Sequence, residues 1–159
     1  MNKKNAALLG GGLAAFVAAA PLVAHHAFGA EFDRDAPIRM EGTVTRLEWV
    51  NPHTWIHIAV TEMVREGQTV APADPTQEVW AVEGGTPNTL LRRGLRRECL
   101  AIGTEVIVDG YQTKDHSLKR ANGRDITFAD GSKMFLGSSG TGAPYEADLV
   151  AQREAQGRC

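Results

Sequence analysis

The strongest constraint on this chain lies between Glu48 and Ile58, which reads Glu-Trp-Val-Asn-Pro-His-Thr-Trp-Ile-His-Ile. An extended run enters the segment, Asn51-Pro52 breaks it, and a second extended run leaves. Proline has no N–H and pushes the residue before it away from helix, so no continuous helix or unbroken strand can cover the segment. Past the break, Ile56, Ile58 and Val60 fall on one side, and His53, Trp55 and His57 on the other. The fold must therefore supply a sheet that buries aliphatics on one face and presents imidazole and indole on the other.

The flanking sequence supplies more strands. Residues 25–35 read as an extended lead-in with Phe28 and Phe32 as anchors, and residues 33–37 as a turn. A first long strand is expected over 38–49, with Thr43, Thr45, Leu47 and Trp49 alternating against Met40, Gly42 and Val44. Gly42 within it marks a bulge or bend. The second strand covers 54–62 and the third 78–83, separated by a polar loop over 65–77 that carries Pro72 and Pro75. Gly84-Gly85 permits a tight turn, and Thr86-Pro87 is a hydroxyl N-cap followed by proline at the first helical position. The helix should pass through Leu90, Leu91 and Arg92-Arg93 and stop at Gly94. A short turn follows over 96–100, then strands over 105–113 and 123–128, with a polar turn over 114–122 between them. Asp130-Gly131 signals a hairpin, and 133–136 gives a short sixth strand.

The ends read differently. Lys3 and Lys4 precede an apolar, alanine- and glycine-rich run to Ala24, the pattern of an export signal over residues 1–24. Cleavage after Ala24 makes His25 the first residue; a cut after Ala30 is the alternative. The protein is then periplasmic or secreted, with no membrane span after cleavage. A leader carrying Lys3, Lys4 and no acid leaves 15 basic and 19 acidic side chains, a formal net charge of −4. That balance, with no basic tract, argues against nucleic acid as a partner. Residues 137–144 form a glycine- and serine-rich exit, and 145–156 a weak C-terminal helix.

Only Cys99 and Cys159 are present. An oxidising compartment allows a bridge between them. The alternative is a buried Cys99 with Cys159 available for dimerisation.

Three strands, a helix, then two or three strands define a mainly β chain. The order fits a small five- to six-stranded Greek-key barrel of OB type spanning 25–136, with one short helix between strands 3 and 4. A two-layer β-sandwich is the competing architecture, but it normally has about seven strands and no helix at that point.

Taken as a set, several pieces resemble a family of small exported bacterial proteins of unknown function. They are His25-His26-Ala27-Phe28, Glu31-Phe32-Asp33, Gly42-Thr43-Val44, Glu48-Trp49-Val50-Asn51-Pro52-His53, Glu83-Gly84-Gly85-Thr86-Pro87-Asn88, Leu91-Arg92-Arg93-Gly94, Ala129-Asp130-Gly131 and Leu136-Gly137-Ser138-Ser139-Gly140. The resemblance implies export and a compact β domain, and implies no activity.

Candidate sites follow from chemistry. Trp49, Trp55 and Trp80 sit on the first three strands and could form one stacking platform for a small ligand or a periplasmic protein partner; alternatively they complete the core. His53 and His57 flank Trp55. The Gly84, Gly85, Asn88 turn places free N–H groups at a helix start, where an anion could bind. A processed His25 offers its α-amine and imidazole to one metal, with His26, His53 or His57 adding a nitrogen; such a set suits copper. Regular strand spacing puts the Cα atoms of His53 and His57 about 13 Å apart, too far for both to share a metal without a bend. Arg92, Arg93, Arg96 and Arg97 fall near a helix end, where they favour the dipole or form an anionic-partner patch. No Gly-x-Ser-x-Gly, His-Glu-x-x-His, Walker or Gly-x-Gly-x-x-Gly pattern is present. The sequence therefore points to an exported binding or accessory module, with copper binding as the alternative and an enzyme as the least supported.

Overall fold

The computed structural model describes residues 28–137 of the 159-residue chain. The chain divides into two units, Met1–Glu31 and Phe32–Cys159. Of the first, residues 28–31 are described and are helical, not the extended lead-in expected there. The leader over 1–24, His25, His26, the segments over 138–144 and 145–156, and Cys159 lie outside the described residues. Among the described residues, no helix is long and apolar enough to cross a membrane.

The second unit is mainly β. Its strands are β1 (Phe32–Glu48), β2 (Trp55–Arg65), β3 (Gln68–Val70), β4 (Val79–Glu83), β5 (Glu105–Thr113), β6 (Arg120–Phe128) and β7 (Lys133–Phe135), with helix α1 (Pro87–Arg92) between β4 and β5. They form one seven-stranded mixed sheet in the order β1-β5-β6-β4-β2-β3, with β7 on β6 and an additional pairing of β1 with β2. Among the described residues the strand pairings are antiparallel except β4 with β6, which is parallel and matches Ala81 to Arg120, Val82 to Ala121 and Glu83 to Asn122.

The core follows from alternation. Ile56, Ile58 and Val60 on β2 are fully buried and pack with Met40, Val44, Val82, Val106, Val108 and Ile126. Leu90, Leu95 and Leu100, from α1 and the segment after it, join the same cluster. Thr86 caps α1 as expected, its Oγ1 accepting from the Thr89 N–H at 3.2 Å, with Pro87 first in the helix.

Several boundaries differ from the expectation, each for a local reason. β1 begins at Phe32, so the expected turn over 33–37 is an irregularity inside a strand: pairing jumps from Phe32–Thr113 to Pro37–Tyr111. Asp33 Oδ1 accepts from the Asp35 N–H there at 2.9 Å. Two further register shifts interrupt the β1–β2 pairing, one at Glu41/Gly42 and one at Val44/Arg46. The first falls at Gly42, where an irregularity was expected, but its extra residue is Thr61 on β2. The second changes which side chains face inward, so Leu47 and Trp49 pack against the core while Thr43 and Thr45 do not. The expected loop over 65–77 holds a hairpin turned at Glu66 and Gly67, whose φ values are 53° and 73°. Both central residues take positive φ, the geometry that suits two-residue hairpins. β6 begins at Arg120 inside the expected polar turn, held by its parallel pairing with β4.

Cys99 is buried, and its Sγ accepts from the Arg96 N–H at 3.4 Å.

Candidate functional site

The exposed side of β2 carries the site. Strand alternation that buries Ile56 and Ile58 turns Trp55 and His57 the other way, both partly exposed. Register places Trp55 opposite Glu48 of β1 and Glu83 of β4, and His57 opposite Arg46 and Ala81. Arg120 is the register partner of Ala81, and Asn122 of Glu83. Four strands thus contribute side chains to one patch.

Two histidine–carboxylate pairs flank Trp55. His57 Nε2 lies 2.9 Å from Glu48 Oε1, the ring nitrogen donating, and Arg46 Nη2 reaches the same oxygen at 2.9 Å. His53 follows the cis Asn51-Pro52 bond, and its Nδ1 lies 2.9 Å from Glu83 Oε1. The Glu83 side chain is only 7% exposed. A carboxylate buried to that degree requires hydrogen-bond partners, and His53 supplies one of them. Each imidazole is thereby fixed in orientation through one nitrogen, which leaves Nε2 of His53 and Nδ1 of His57 as the acceptor atoms of the neutral rings. The Arg120 guanidinium carbon stands 4.7 Å from the Trp55 ring centroid, a cation–π contact that holds the indole in place. Asn122, 2% exposed, has an Oδ1 with no hydrogen-bond partner.

The three tryptophans do not form one platform. Trp80 is 2% exposed and belongs to the core, because its register partner is Ile58 and both face inward. Its Nε1 donates to Glu78 Oε1 at 2.8 Å. Burial pushes the Glu78 carboxyl up, but hydrogen bonds from Lys119 and Trp80 outweigh it and hold the group below its ordinary value. Trp49 packs against the core after the second register shift. Only Trp55 of the three presents its ring with the histidines.

In the Gly84–Asn88 turn, both glycine N–H groups are taken up inside the protein. The Gly84 N–H donates to the Thr54 carbonyl at 2.8 Å, and the Gly85 N–H to the Leu136 carbonyl at 2.8 Å. A Cβ on Gly84 would stand 2.9 Å from Leu136 Cδ1, and one on Gly85 would stand 3.1 Å from the Gly137 carbonyl oxygen. Both glycines are explained by the close approach of the segment after β7. Asn88 is exposed on the six-residue α1. Arg93 is likewise structural: it stacks on Phe135 at 4.6 Å and donates to the Gly137 carbonyl. Arg92, Arg96 and Arg97 are exposed.

Among the described residues, no group of three or more His, Cys, Asp or Glu is placed to hold a metal ion. His53 and His57 are held by different carboxylates, and His25 and His26 lie outside the described residues.

A family of unknown function (DUF6152) matches residues 13–122, more than half of the chain. The chain belongs to that family. The matched span contains every residue of the β2 patch, from Arg46 to Asn122, and ends inside β6. No curated protein and no solved structure matches the chain.

Sequence reasoning found His53, Trp55 and His57 and missed Glu48, Glu83, Arg120 and Asn122. Glu48 and Glu83 were visible as the acids that open the Glu-Trp-Val-Asn-Pro-His and Glu-Gly-Gly-Thr-Pro-Asn pieces. Arg120 and Asn122 reach the patch only through the parallel β4–β6 pairing, which leaves no mark on local alternation.

Proposed function

We propose that this member of the family is an exported, periplasmic binding or accessory module whose recognition surface is the exposed side of β2. The observation that carries the reading is one arrangement: His53–Glu83 and His57–Glu48 on either side of a Trp55 ring stacked by Arg120. Such a surface offers an aromatic face for stacking and oriented imidazoles for hydrogen bonding, which suits a small polar ligand or a partner polypeptide.

The finer fold assignment is an OB-like barrel. The pairings β1–β2, β2–β4, β4–β6, β6–β5 and β5–β1 support it, because they return to the strand on which they start. So does the placement of α1 between the third and fourth strands of that circuit. On this assignment β2 and β4 form the wall that OB barrels use for ligands, an analogy of fold that adds modest weight. Export rests on the Lys3-Lys4 start and the apolar run to Ala24.

The test is tryptophan emission of the processed protein titrated with a panel of oligosaccharides, short peptides and aromatic acids. A saturable change that disappears in Trp55→Ala, with the far-ultraviolet circular dichroism unchanged, supports the reading. A response that persists in Trp55→Ala, or none across the panel, refutes it.

A further inference from the structure

A second surface lies at the β1–β2 irregularity beside Gly42. Where β1 pairs with β2, Glu41 sits opposite Glu62 but Gly42 sits opposite Val60, so Thr61 is an extra residue on β2. The Thr61 hydroxyl donates to the Glu41 carbonyl at 3.1 Å. At Gly42 the strands come so close that a Cβ would stand 2.2 Å from the Ala59 carbonyl oxygen. Beside it lies a pocket of about 190 Å³ lined by Thr43, Thr61, Thr127, Ile107, Glu41 and Glu105 among others. None of these residues belongs to the His53/Trp55/His57 patch.

The charges around the pocket are not balanced. Glu41 and Glu62 face each other directly across the strand pair, an arrangement that is destabilising for like charges. Glu105 is the register partner of Thr43, on the other flank of β1. Among the described residues, no basic side chain pairs with Glu41, Glu62 or Glu105. The neighbouring cations are engaged elsewhere: Arg39 bonds Asp109 at 2.9 Å, and Lys133 reaches Asp109 and Asp125 at 3.5 Å each. The pocket is thus part apolar, rich in hydroxyls and acidic, and among the described residues no cation is paired with its carboxylates.

We propose that this pocket receives a lysine or arginine side chain from a partner polypeptide. Charge complementarity selects a cation, and the apolar and hydroxyl lining suits a methylene stem that ends in hydrogen-bond donors. The volume selects a single side chain, since it lies below the roughly 300–1,000 Å³ of pockets that enclose a drug-sized ligand.

The test is an amide-shift titration of the processed protein with acetyl-Gly-Arg-Gly-amide, using the citrulline peptide as a neutral control of similar shape. The arginine peptide should give saturable shifts confined to Gly42, Thr43, Val106, Ile107, Thr127 and Phe128, and the control should give none. The Glu41→Gln, Glu105→Gln double variant should bind roughly fivefold or more weakly, because two exposed charge pairs are removed. Glu105→Gln alone, at an exposed position, gives the same reading in smaller measure if the double variant loses its amide dispersion. Shifts scattered over all acidic surfaces, equal binding of the control, or unchanged affinity in the variants would overturn the proposal. Each of those results leaves the β2 patch unaffected.

Discussion

Leu136 makes the sharpest test of why the chain spends glycines where it does. It is fully buried, and it rests on two positions without side chains. A Cβ on Gly123 would stand 2.5 Å from Leu136 Cδ2 and 2.8 Å from Val82 Cγ1; one on Gly84 would stand 2.9 Å from Leu136 Cδ1. Gly123→Ala should therefore overpack the site and cost about 1–3 kcal/mol. Leu136→Ala removes the same contact from the other side and should cost about 2–5 kcal/mol, depending on how far the site collapses. Combined, the new methyl enters space that Leu136 vacates. The double variant should then be less destabilised than the two costs added, by about 1–2 kcal/mol. Chemical denaturation followed by circular dichroism, run as a double-mutant cycle, measures this coupling. In thermal melts each ~1 kcal/mol corresponds to a midpoint shift of roughly 3–6 °C for a domain of this size. Strict additivity would mean that Leu136 does not sit over Gly123, and the account of Gly84 would fall with it.

The remaining expectations concern single groups. Glu78 is held below its ordinary value of 4.5, so its bonds to Trp80 and Lys119 stabilise the fold above that pH and are lost as the pH falls through the lowered value. Tryptophan emission against pH should show an acid-side change that Glu78→Gln removes; an identical profile in the variant would refute the link. Arg120→Ala should unstack Trp55, cost about 0.5–1 kcal/mol, and shift its emission to the red. Unchanged emission would place the guanidinium elsewhere in solution. A Cu(II) chelate of the kind the sequence allows at an amino end beginning with His25 would use the α-amine, so one residue added ahead of His25 should abolish it. A paramagnetic resonance spectrum and affinity indifferent to that extension would exclude the amine.

The sequence made local features legible. Pro52 ended a strand, Thr86-Pro87 opened a helix, and the Ile56, Ile58, Val60 alternation named the inner face of β2; all three depend on neighbours within a few residues. The features it hid are long-range or break the period. The shift at Val44/Arg46 inserts one residue and moves Trp49 toward the core, which simple alternation from Thr43 cannot anticipate. Trp80 suited either a stacking platform or the core until its pairing with Ile58 put it inside. The Gly84-Gly85 turn suggested an anion site because the sequence cannot reveal that Leu136, some fifty positions on, takes the Gly85 N–H and fills the space above Gly84. The β2 patch divides the same way: His53, Trp55 and His57 follow from spacing, while Glu48, Glu83, Arg120 and Asn122 arrive by strand pairing.

The most direct measurement is histidine ring and indole NMR of the processed protein, with and without the panel compound that quenches tryptophan emission. His53, His57 and the Trp55 indole should move together along one binding curve, while His116, exposed in the β5–β6 turn, stays fixed. Movement of His116 alone, or rings that hold still while the compound binds, would contradict a recognition surface on β2.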